Sequence, residues 1–138
     1  MSRVIHTDGM GKERSRLIRS ILLALRELIQ QDSTGIATRD LAAYIALALE
    51  AISRSIDPSV EAWEKRGYWV KADRFRMEWQ WTEKLGKELR IAVIGEDWPA
   101  VASISGQIAE RMGKMKPPKR NNLGTPWRGA WVKLVHPD

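Results

Sequence analysis

The feature that most constrains this chain is an apolar run near its middle. From Leu41 to Ile52, eleven of twelve residues are apolar, Tyr44 included, and Glu50 is the exception. A helix that is apolar all round its circumference leaves no face for water, so it has to lie among other helices. It is too short for a membrane: its longest unbroken apolar stretch, 41–49, has nine residues, whereas a spanning helix needs about 20. A central core helix is therefore expected over about 39–56, with Thr38 as its N-cap and Ile45, Leu49 and Ile52 against its neighbours.

The remaining segments supply those neighbours. Over about 12–31, Leu17, Ile21, Ala24 and Leu28 form one row, and Ile18, Leu22, Leu25 and Ile29 form the adjacent one. Two such rows make the broad apolar face of an amphipathic helix. Asp57-Pro58 reads as a cap residue followed by proline at the first helical position. It opens a long third helix over about 58–94, because Gly67 and Gly86 alone cost only about 1 kcal/mol each. Two stripes run along that segment, one from Tyr68 through Ala72 and Gly86 to Val93, the other from Trp63 through Val70, Arg74, Met77 and Trp81 to Leu85. Ala72 and Gly86 are small enough to let another helix approach closely. Asp97 with Pro99 starts a fourth helix over about 98–112, with Val101, Ile104, Ile108 and Met112 inward and Gly113 as its stop.

The expectation is an all-α, four-helix bundle-like domain over 1–113 with a long third helix, followed by an irregular, basic, Pro/Gly/Trp-containing C-terminal arm over 114–138. Within that arm, 130–135 could form a brief strand, although no partner strand is in sight. The chain has 138 residues, 43% of them hydrophobic, enough for one core without a staple. It contains no cysteine, which removes disulfides, cysteine-bound metals and thiol nucleophiles. No apolar leader follows the first residues, and the cytoplasm is the expected compartment.

Charge is concentrated at the two ends. The net charge is +6; residues 1–31 carry six basic against three acidic groups, and residues 114–138 carry six against one. Lys12, Arg16, Arg19 and Arg26 share one side of the first helix, within about 80° at helical spacing. Arginine forks pair with two phosphate oxygens at once, and a basic stripe beside aromatic rings is the footprint of nucleic-acid binding. The candidate contacts with RNA or DNA backbone are Lys12, Arg16, Arg19, Arg26, Lys114, Lys116, Lys119, Arg120, Trp127 and Arg128, with Trp131 as a further ring. The plainer alternative is a solvated helix face and a solubilising tail.

A second candidate surface is the aromatic third segment. Four of the seven tryptophans fall there, and Trp with Arg is the combination that most often anchors interfaces. Trp63, Trp69, Arg74 and Trp81 are the candidate interaction residues, for a homodimer or a larger protein complex. Trp69 lies off both stripes and is expected at the surface. The competing role for these rings is as wedges in the core.

Catalysis is not expected, nor is a cofactor or metal. Asp8-Gly9-Met10-Gly11-Lys12 lacks the upstream glycine and the following Ser or Thr of a phosphate loop, and reads as a flexible lead-in. Glu27, Glu50 and Glu64 could point inward, but neither His6 nor His136 lies in an expected helix to complete a metal set. No Gly-x-Ser-x-Gly elbow is present. Glu50, alone in the apolar helix, needs a cationic partner such as Arg74, or its pKa would rise.

Overall fold

The computed structural model describes residues 2–120 and 122–137, with side chains from Met10 onward. Every regular element among them is a helix: α1 (Ser2–Ile29), α2 (Ile36–Lys65), α3 (Trp69–Trp79), α4 (Trp81–Ile94), α5 (Trp98–Arg111) and α6 (Ala130–Val135). The expected all-α class is what the chain adopts. Four helices become six because the third segment divides and the tail contributes one.

The apolar run does what its pattern requires. α2 is the axis of the fold, with α1, α3, α4 and α6 all packed on it and α5 lying on α4. Ile45, Leu49 and Ile52 are completely buried. α1 and α2 are antiparallel neighbours, since Tyr44 donates to Ser20 (2.7 Å) at one level and Arg14 reaches Ser55 and Ser59 at another. Gly86 lets α4 come close: a Cβ there would lie 3.3 Å from Leu49 Cβ.

Several boundaries differ from the sequence reading, three of them along α2, each for a local reason. α2 starts at Ile36 with Gly35 at the cap, and Thr38 lies inside it, donating its hydroxyl to the Ser33 carbonyl (2.6 Å). Pro58 does not open a helix but sits within α2. Proline removes a backbone donor there, and Arg14 from α1 splints the same turn by donating to the Ser55 carbonyl (3.3 Å) and the Ser59 hydroxyl (2.9 Å). The true stop is Gly67, at φ +80°. Its N–H donates to the Glu64 carbonyl and that of Tyr68 to the Trp63 carbonyl, which is the Schellman arrangement that ends helices at a left-handed glycine.

A second break falls at Gln80, so the two long stripes are never on one helix. Thr82 donates its hydroxyl to the Trp79 carbonyl across this joint (2.7 Å), and the Trp79 and Trp81 rings stack at 6.4 Å. At the other end, α1 begins at Ser2, so the glycine-containing lead-in is helical backbone. The side chains of His6 and Asp8 lie outside the described residues. α5 follows the sequence reading closely, with the Asp97 carboxylate accepting from the Ala100 N–H and Pro99 in the first turn. Residues 130–135, within the arm expected to be irregular or to hold a brief strand, form the short helix α6.

α6 is held by charge. The Asp40 carboxylate, nearly buried on α2, accepts from the Gly129 N–H (2.9 Å) and the Trp131 N–H (3.0 Å). Glu50 finds its cation in Arg90, not Arg74, because Arg74 lies on the outer side of α3. The Arg90–Glu50 pair is bidentate at 2.7 and 2.9 Å, and Arg90 also donates to the Leu134 carbonyl (3.4 Å). Two ionic groups on the core helices thus fix both ends of α6, while Ala130 and Leu134 fill the space beneath it.

Candidate nucleic-acid interface

α1 presents the basic rib because its two apolar rows fix its rotation on α2. Lys12, Arg16, Arg19 and Arg26 are all exposed. Leu23, in the middle of the same azimuth, is buried, so the rib is interrupted between Arg19 and Arg26. Arg14 turns the other way, toward α2, with its guanidinium 4.7 Å from the Phe75 ring centre. Its partial removal from water lowers its pKa, although it stays cationic.

Docking of α6 brings the far end of the chain to this rib. Arg16 and Leu17 from α1, Tyr44, Leu47, Ala48 and Ala51 from α2, and Pro126, Ala130 and Lys133 from the C-terminal segment line one cleft of about 300 Å³. Its floor is apolar and its rim carries Arg16 and Lys133. Arg16 is already engaged with Glu13 through Nε (3.1 Å) and Nη2 (2.5 Å). That hydrogen bond lowers the Glu13 pKa and raises that of Arg16, against the opposing effect of burial on each. Nη1 takes no part in the pair, and the pair itself is about half exposed.

The remaining candidate residues separate into groups. Lys114 lines a different cleft with Trp79, Trp81 and Arg111, so it does not extend the rib. Lys116, Lys119, Arg120 and Arg128 are exposed. Trp127 is half-buried against the core, and Trp131 is half-buried with the Arg39 guanidinium 5.2 Å over its ring. Both rings therefore help to anchor the arm. Trp131 Nε1 is buried without an acceptor among the described residues.

The interaction candidates divide as well. Trp63 packs edge-on to Phe75 (4.8 Å) with the Lys71 ammonium over its ring, and Trp81 stacks on Trp79. Trp69 is 63% exposed, and Tyr68, Val70 and Met77 are exposed with it. Arg74 shares that outer side. No group of three or more acidic or histidine side chains among the described residues could hold a metal, and no described helix is long and apolar enough to cross a membrane.

The sequence alone gives no role in the interface to Lys133, Tyr44, Glu13 or Asp40. Glu13 was readable as a partner of Arg16, because it lies three residues from it on one helix. Asp40 was not, since its partners are backbone groups 89 and 91 residues away. No protein-family model, no curated protein and no solved structure matches the chain.

Proposed function

We propose that this protein is a non-catalytic binding module that holds nucleic-acid backbone along the exposed rib of α1 and the adjoining C-terminal segment. The observation that carries the reading is the shared cleft rimmed by Arg16 and Lys133, which come from the two basic ends of the chain. A charge concentration that folding brings together is harder to ascribe to solubility than one left scattered. Lys12 and Arg19 extend the same side of α1, and Arg26 lies beyond the buried Leu23, about 21 Å from Lys12 at 1.5 Å per residue. Contacts of this kind position a strand without reading its sequence.

The test is salt dependence. Affinity for a labelled oligonucleotide should fall with salt by roughly 0.7–0.9 log units per log unit for each phosphate neutralised. Replacing Arg16 and Arg19 by Gln should lower affinity and flatten that slope by up to about two contacts, similarly for unrelated sequences. No affinity for any polyanion at low salt ends the reading.

One observation favours a second role, as a protein-interaction subunit. Tyr68, Trp69, Val70 and Met77 expose large apolar side chains on and beside α3, and exposed apolar surface of this kind marks contact sites when it is contiguous. Sedimentation over a range of concentrations, with Trp69→Ser as the control, separates self-association from contact with another protein.

A further inference from the structure

We infer that the cleft between α1, α2 and α6 receives one unpaired base of a single strand, with the adjoining phosphate held between Arg16 and Lys133. The inference rests on the nucleic-acid reading and makes it narrower, because it selects single strands over duplexes. Four features of the cleft support it.

The first is size. About 300 Å³ is the small end of the range for ligand sites, suited to a base with its sugar and too small for a base pair. The second is the lining. Leu17, Leu47, Ala48, Ala51, Pro126 and Ala130 give an apolar lining, and Tyr44 contributes an aromatic ring. Such surfaces take the face of any base.

The third is the state of its polar groups. Tyr44 donates its hydroxyl hydrogen to Ser20, and Ser20 donates in turn to the Leu17 carbonyl (2.7 Å). That chain leaves the tyrosine oxygen able to accept but not to donate. The cleft can hold a base, yet it has little with which to distinguish one base edge from another. Weak base preference is therefore part of the inference. The fourth is charge. The cations lie on the rim and not on the floor, as they must if a phosphate stays in water while its base is covered. A base inside a duplex cannot reach this floor without first leaving its stack.

The experiment compares strands of equal charge. A thymidine oligonucleotide of about 12 nucleotides and an abasic chain with the same number of phosphates are titrated at low salt by fluorescence anisotropy, beside a duplex of that length. The thymidine strand should bind roughly tenfold more tightly than the abasic one, within the range for one stacked base. Ala51→Phe, which fills the cleft from a partly buried position, should abolish that difference. If Ala51→Phe fails to fold, Tyr44→Leu removes a flat ring and makes the same test. Equal binding of both strands to the wild type overturns the inference and leaves backbone binding standing. A preference that survives the variant that folds overturns it too, since the base then lies elsewhere. Binding to neither strand removes both readings.

Discussion

Two short helices lean on α2, and they are held by different chemistry. α6 has six residues, far below the length at which a helix persists on its own in water. It stays in place because Asp40 accepts from the backbone N–H groups of its N-cap Gly129 and of Trp131 in its first turn, and Arg90 donates to its last turn. α3 has eleven residues and is held mainly by Ala72, Phe75 and Trp79. Its ionic tie to α2, Arg76 with Glu64 at 3.6 Å, is partly exposed and worth little. Hydrogen bonds to a buried carboxylate fix direction and register, whereas apolar contacts fix mainly area. α6 is accordingly oriented well enough to place Lys133 opposite Arg16, while α3 covers α2 on one side and leaves Trp69, Val70 and Met77 outside.

The largest expected effect breaks the first half of that comparison. Asp40→Ala removes both acceptors at the start of α6. Hydrogen bonds to charged groups contribute about 1.5–3 kcal/mol each, and α6 has too little apolar area to offset the loss of two. The helix should detach while the rest of the fold persists. Amide exchange over 129–135 should accelerate by orders of magnitude, and α3 should be unchanged. Protection retained in α6 would mean that Ala130 and Leu134 suffice to hold it.

A smaller effect is expected on the α3 side. Arg14 joins α1 to the proline-bearing turn of α2 and lies over Phe75 of α3. Arg14→Met keeps the apolar stem but loses three hydrogen bonds and the cation–π contact. It also relieves the cost of holding a charge partly out of water. The net loss should be about 1 kcal/mol, a fall in melting temperature of roughly 3 °C, with exchange quickening in α3 but not in α6. An unchanged melting temperature would show that desolvation cancels the contacts.

This asymmetry also explains how much of the fold was legible. Periodicity identified α2 as the core, the inward row of α5, most of the inward face of α1 (Ile29 is exposed and Leu23, outside both rows, is buried) and the closeness of Gly86 to its neighbour, because each of these is set by residues within a few turns of one another. The division of the third segment was harder to see. Gly67 and Pro58 both carry turn signals, and the choice between them rests on Arg14, 45 residues before Ser59, supporting the helix across the proline. The position of α6 was out of reach, since six residues of moderate apolar character gain their helix from Asp40 and Arg90. For the candidate interface, the rib was readable as spacing on one helix, but its pairing with Lys133 depends on that same distant latch.

The smallest effect sharpens the comparison on the α6 side, at the place where the latch delivers Lys133. Glu13 competes with any phosphate for Arg16, and an exposed pair of this kind is worth little. Glu13→Gln should therefore tighten polyanion binding by about two- to fivefold, within the range of such pairs. A purely structural role for the pair would not produce a gain. The pH dependence has a definite sign. The Arg16 hydrogen bond holds the Glu13 carboxyl below its ordinary value, so the pair's contribution to stability is complete above that ordinary value. It is lost as pH falls through the lowered one. The same protonation releases Arg16, so wild-type affinity should climb toward that of the Gln variant as the solution is acidified. Other carboxylates titrate in both proteins, and the difference between the two binding curves isolates Glu13. If the variant binds no more tightly at neutral pH and the curves stay parallel on acidification, Arg16 does not touch the phosphate, and the rim of the cleft is Lys133 alone.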